Sequence, residues 1–185
     1  MFVLGIDPGL SRCGYGLVTR NDASSELAAR AAGVIETDPD APLPERLMVL
    51  QRELRSLMAE LRPQVVVVER VFFQVNVKTA MSVGQASGLA LAAASEAGCE
   101  VTQYTSNEVK QALVGYGAAT KDQVKRMVAS VLGLRVVAGP PDVADALALA
   151  VCHLSSVPLR RAIDAAVAAS HPAAASLRQR AVKGA

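Results

Sequence analysis

The chain has 185 residues, 51% of them apolar, and a formal charge of only +2. That length suits one domain with a sizeable core, and the near-balanced charge excludes the bulk-basic body usual for nucleic-acid coating. The apolar stretches at 80–97 and 143–154 are broken by polar residues or too short for the roughly 20 apolar residues of a membrane span, and no basic n-region precedes the first apolar run.

In chain order, strands read at 2–7, 13–20 and 28–36, with Pro8-Gly9 and Asn21-Asp22 as the turns of a meander. A helix over 44–62 follows from Pro44-Glu45 and from Leu47, Leu50, Leu54, Met58 and Leu61 at helical spacing. Pro63 ends it, and Val65 to Val68 reads as a strand buried on both faces. The helix at 77–97 is rich in small residues, including Gly84-x-x-x-Gly88, which lets a second backbone approach, from the sheet or from another subunit. A strand at 99–104 leads to Thr105-x-x-Glu108, and Thr120-x-x-Gln123 repeats that capping-box pattern before a helix at 121–132. Gly115-Tyr116-Gly117 between them reads as a helix–helix turn, because no GxxxxGK[ST] follows a strand. The last helix spans 142–156, and 160–185 reads as a mobile or weakly helical basic tail.

Charge is distributed unevenly along this order. Residues 159–185 carry five basic side chains and one acid, so the tail is +4 on a body of −2. Within the body, Lys110, Lys121, Lys125, Arg126 and Arg135 make 105–135 the best phosphate-binding surface, although solvated helix faces explain any one of them equally well. Cys13, Cys99 and Cys152 show no CxxC spacing and cannot all pair, which fits a reducing cytoplasm. Cys152-His153 reads as structural or merely exposed rather than as a zinc site, since neighbours on a helix point apart.

Four carboxylates carry the chemistry. Asp7 ends the first strand, Glu69 ends the four-valine strand, and Asp142 with Asp145 opens the last helix. Asp7-Pro8-Gly9 also reads as a turn, and Asp142-x-x-Asp145 as a helix start with acids at the positive end of the dipole. Together, however, they converge on one end of one sheet, where ligand sites of open α/β folds gather. Acids at the rims of buried strands cost desolvation unless something positive meets them, so a divalent metal site is the leading explanation, with hard oxygen donors suited to Mg²⁺ or Mn²⁺.

Meander, helix, strand, helix, strand and helices is the ribonuclease H-like order, an α/β fold with a mixed five-stranded sheet flanked by helices. The stretches GIDPGLSRCGYG (5–16), VVVVERVFF (65–73), GQASGLAL (84–91), YTSNEVKQALVGYGAATKDQV (104–124) and PPDVADALALAVCH (140–153) together resemble the RuvC family of Holliday junction resolvases. The resemblance covers about 1–157 and implies a homodimeric, metal-dependent endonuclease. Such an enzyme nicks two strands of like polarity in a four-way DNA junction and leaves 5′-phosphate and 3′-hydroxyl ends, using two Mg²⁺ per active site or Mn²⁺ in their place.

On this resemblance Asp7, Glu69, Asp142 and Asp145 are the catalytic metal ligands, Asp142 being replaced by His in some members. Lys110 and Lys121 match lysines that touch DNA or the scissile phosphate, Phe72 matches an aromatic near the junction centre, and Phe73 is an adjacent candidate. Branch-migration proteins RuvA and RuvB are implied partners, with recombination and repair in the cytoplasm as the setting. Arg70 stands where glutamine is common, and the tail beyond about 158 matches no motif. Two rivals remain. A sugar-kinase or actin-like phosphotransfer domain needs two such domains around its nucleotide, and a non-catalytic junction-binding module would be expected to lack at least one of the four acids.

Overall fold

The computed structural model describes residues 1–21, 23–70 and 77–170, with the backbone alone described at 77–79 and 157–170. Its elements are β1 (Phe2–Asp7), β2 (Arg12–Arg20), β3 (Leu27–Glu36), α1 (Leu43–Leu61), β4 (Val65–Glu69), α2 (Val77–Glu96), β5 (Glu100–Tyr104), α3 (Ser106–Val114), α4 (Lys121–Val131) and α5 (Pro141–Ser170). The sheet order is β3-β2-β1-β4-β5; β1, β2 and β3 are antiparallel neighbours, while β4 runs parallel to both β1 and β5. This is the expected ribonuclease H-like sheet.

Alternation along the two central strands divides the core. Leu4, Ile6, Val66 and Val68 face α1 and α2, meeting Leu50, Leu54, Ala86 and Ala90. Val3, Val65 and Val67 face the other way, onto Val109 of α3, Val128 of α4 and Leu147 of α5. Both layers exclude water from β1 and β4, and each fully buried Val or Leu contributes about 1.5–3 kcal/mol. That two-sided burial is why a strand of four valines, with no alternation of its own, is stable here.

Local signals set the element ends. Arg62 terminates α1 in the left-handed conformation, φ 45°, directly before Pro63, which disfavours helical geometry in the residue preceding it. Both capping boxes form: Glu108 N–H donates to Thr105 Oγ1 at 3.1 Å and Thr105 N–H to Glu108 Oε2 at 2.7 Å, and Thr120 with Gln123 does the same. α5 departs from expectation, running through Ser170 rather than ending at 156. Pro158 removes the hydrogen bond to the Leu154 carbonyl, but alanines at 162, 165, 166, 168 and 169 favour helix strongly enough to carry it on. The small residues of α2 also divide by face, with Ala86, Ala90 and Ala94 buried and open space beside Gly84 and Gly88. Among the described residues no helix is long and apolar enough to cross a membrane.

The backbone of α5 lies directly on β1 and β2. A Cβ at Gly5 would overlap the Ala146 carbonyl oxygen, and one at Gly14 the Asp142 carbonyl oxygen. Neither obstacle is a side chain that can rotate away. Gly5→Ala should therefore lower the melting temperature by roughly 2–12 °C, the consequence of overpacking by about 1–3 kcal/mol in a chain of this size. Thermal denaturation followed by circular dichroism measures it, and an unchanged midpoint would show that α5 can lift without cost.

Candidate active site

Strand parity brings the first two carboxylates together. Residues 3, 5 and 7 of β1 and 65, 67 and 69 of β4 point to the α5 face, and the parallel register that pairs Ile6 with Val68 sets Asp7 beside Glu69. α5 then crosses this end of the sheet. Its first turn carries Asp142, and Asp145 follows three residues later on the same helical face. The acids at this end of α5 are favoured by the positive end of its dipole.

Asp7, Glu69 and Asp145 line a cleft of about 130 Å³ together with Ser106, Lys110 and Lys121. Lys121, the first residue of α4, donates Nζ to Asp145 Oδ2 at 2.8 Å. Asp142 does not line this cleft; it lines a second one with Arg12, and its Oδ2 is shielded from solvent and accepts no hydrogen bond within the protein. The guanidinium of Arg12 approaches that oxygen to 3.6 Å, an ion pair too long to be a hydrogen bond.

Electrostatics mark the cluster as incomplete. Burial, followed by the charges of Glu69 and Asp145, pushes the Asp7 carboxyl up to about 8. Burial also raises Glu69, opposed by a hydrogen bond from Asp7 and by the positive charges of Lys121 and Lys110. Burial and mutual repulsion thus hold the coupled pair short of full ionisation at neutral pH. Lys121 is raised in turn, chiefly by its bond to Asp145. No three His, Cys, Asp or Glu among the described residues are gathered closely enough to enclose an ion as they stand. The donor set nevertheless fits a hard dication: all oxygens, one of them buried without a hydrogen bond, in a cluster whose mutual repulsion a metal would relieve.

The model for crossover junction endodeoxyribonuclease RuvC matches residues 3–153. The RuvC proteins of Desulfitobacterium hafniense and Salinispora arenicola are 45% and 51% identical over 86% and 83% of this chain, covering 95% and 87% of their own lengths. The chain belongs to the RuvC family. A solved Thermus thermophilus RuvC structure superposes with a TM-score of 0.79 at 37% identity, covering 86% of this chain and 96% of that one. A second, described as T. thermophilus RuvC in complex with Holliday junction substrate, gives 0.77 at 35%, with the same coverage. The yeast mitochondrial resolvase Ydc2, at 16% identity and a TM-score of 0.62, shares the fold.

As a RuvC crossover junction endodeoxyribonuclease, the protein is a nuclease. Of the residues singled out from sequence, the structure gathers Asp7, Glu69, Asp145, Lys110 and Lys121 in one cleft and sets Asp142, one helical turn from Asp145, in a second, whereas Phe72 and Phe73 lie outside the described residues. His153 is buried, with Nδ1 3.2 Å from the Tyr104 hydroxyl, so it braces α5 against β5. The sequence did not single out Arg12: alternation along β2 puts residue 12 on the face of Gly14, but only the folded chain shows that α5 rests there.

Asp7 has a folded value raised from 3.8 to about 8, so the stability it contributes is full below its unfolded value and is lost as pH climbs towards 8. In EDTA, wild-type protein should melt progressively lower than Asp7→Asn as pH rises from about 5 to about 8, by several degrees at the upper end. Effects of pH on groups that do not interact with Asp7 cancel in that comparison. Parallel melting curves across this range would contradict the buried, protonated Asp7.

Proposed function

We propose that the protein resolves four-way DNA junctions by metal-dependent phosphodiester hydrolysis, with Asp7, Glu69, Asp142 and Asp145 as the ligands of Mg²⁺, or of Mn²⁺ in its place. The observation that carries this reading is the convergence of strand-borne and helix-borne acids in one cleft, where burial and like charge keep a proton on Asp7. Such a cluster is costly to a fold and useful to a dication. Bound there, a pair of metal ions supplies an activated water and charge to stabilise the departing 3′ oxygen.

The chain's own groups prepare that chemistry. Loss of the shared proton frees both Asp7 and Glu69 as anionic donors on adjacent, rigid strands. Lys121 holds Asp145 from α4, and release of that bond leaves its ammonium beside the place where a scissile phosphate must lie. Lys110 lines the same cleft and adds a second positive charge for the phosphate. The products expected are 5′-phosphate and 3′-hydroxyl ends at two symmetric nicks.

Paired nicks call for two such sites. A homodimer supplies them, and the open Gly84/Gly88 face of α2, with the exposed Met81 beside it, is suited to a second copy. The T. thermophilus relative solved with its Holliday junction supports four-way DNA as the substrate. Residues 1–158 form the nuclease domain on this reading, and the basic residues of 159–185 add phosphate contacts. RuvA and RuvB are the proposed partners, and the cytoplasm the compartment.

Asp7→Asn, Glu69→Gln and Asp145→Asn should each lower junction cleavage with Mg²⁺ by about 100-fold or more. Junction binding should stay within about threefold, because phosphate contacts elsewhere carry it. Asp142→His should keep more activity than Asp142→Ala, since imidazole still offers a donor. Cleavage of a labelled synthetic junction and a matched duplex decides this, and any one of the three isosteric variants cutting at the wild-type rate refutes the ligand set.

An aromatic three residues after Glu69 in the sequence adds a second test. Phe72 is proposed to stack on unpaired bases at the junction centre, worth about 1–3 kcal/mol per base, and Phe73 to pack inward. Phe72→Ala should slow cleavage at unchanged melting temperature, while Phe73→Ala should mainly lower stability. A stable Phe72→Ala enzyme with unimpaired junction cutting excludes the stacking role.

A further inference from the structure

Arg12 stands at the start of β2, on the far side of Asp142 from the two lysines. Its side chain is 53% exposed, and its Nε lies 3.6 Å from an Asp142 oxygen that accepts no hydrogen bond within the protein. A pair that long, on a half-exposed arginine, is loosely held. Arg12 and Asp142 both line a second and larger cleft, bordered also by Gly9, Ser11, Arg46, Ser82 and Gln85. Arg46 is fixed there, with Nη2 on Ser11 Oγ at 2.6 Å and Nε on Thr37 Oγ1 at 3.0 Å.

We propose that Arg12 is a DNA-phosphate ligand held in reserve on Asp142, released into the second cleft when a divalent cation takes that carboxylate. The inference rests on Asp142 being a metal ligand. A dication on Asp142 satisfies the buried oxygen and repels the guanidinium, whose exposed stem lets it turn outward. There it meets the phosphodiester backbone flanking the scissile phosphate, where a planar guanidinium pairs with two phosphate oxygens at once. Metal and junction then strengthen each other's binding through one side chain, and by linkage the effect is reciprocal.

Anisotropy of a labelled four-way junction tests this with wild type, Arg12→Ala and Arg12→Gln, in EDTA and in Ca²⁺, over a salt series, with intact DNA verified on a denaturing gel. Both variants should lose about tenfold in affinity in Ca²⁺ and no more than about twofold in EDTA, and in Ca²⁺ alone their log K against log salt slope should be shallower by about 0.9. The long-range cost of losing one positive charge is common to both conditions and cancels. Equal losses in the two conditions, or no loss in Ca²⁺, overturns the exchange. The rise in melting temperature on adding Ca²⁺ separates the two readings. If Asp142→Asn keeps the full wild-type rise, Asp142 is not a metal ligand and the exchange falls with it; if that rise shrinks while the Arg12 losses are equal in both conditions, the exchange alone is wrong.

Discussion

The close seating of the α5 backbone on the glycines of β1 and β2 is the constraint on which the site depends. Helix and sheet ordinarily meet through side chains, which hold their backbones apart. Here Gly5 lies under the Ala146 carbonyl and Gly14 under the Asp142 carbonyl, so the first turn of α5 is pressed onto the strands that carry Asp7 and Arg12. The facing surface of the helix is correspondingly small, with Ala146 and Ala150 fully buried in the contact. Any larger residue in this contact would lift α5 and carry Asp142 and Asp145 away from Asp7 and Glu69. The same helix also roofs the core through Leu147, Val151 and Leu154, so the packing that stabilises the fold and the packing that assembles the acids are one.

That arrangement has an electrostatic cost. Four acids at the end of a sheet repel one another, and burial adds to the penalty on Asp7 and Glu69. The protein offsets it locally with a proton shared between the strand-borne pair and with Lys121, Arg12 and the helix dipole around the helix-borne pair. None of these is as good a partner as a dication for so many oxygens. A cluster of acids that is costly to the fold is the usual exchange of stability for function.

Most of the fold was legible in the sequence because its signals are local. The valine run at 65–68, the two capping boxes and Pro63 each act within a few residues, and each element they define lies within a residue or two of its expected bounds. Glu69 was legible for the same reason, as an acid terminating a strand that must be buried. The far end of α5 was not, because a single proline was read as a stop where alanine propensity on the helix beyond it prevails. Arg12 was not legible as a partner of Asp142, since their meeting depends on a hairpin, a helix and the absence of a side chain at Gly14. Lys121 was found through its resemblance to family lysines; its bond to Asp145, 24 residues away, is a property of the folded chain alone.

The two pairs of acids hide their charge by different means, and this divides the control of the site. Asp7 and Glu69 stand on adjacent central strands that no cation-bearing side chain reaches within hydrogen-bonding distance among the described residues, so a proton is their nearest compensation. Asp142 and Asp145 project from a helix end towards β2 and α4, which supply Arg12 and Lys121 on flexible stems. Opening the strand pair is therefore a matter of proton loss, whereas opening the helix pair is a matter of moving cations that a nearby phosphate backbone also attracts. On the exchange proposed above, a dication that takes these oxygens frees the cations, and the phosphate backbone of the DNA is their next partner. The basic residues around the acids would then serve first as their counter-ions and afterwards as contacts to the DNA.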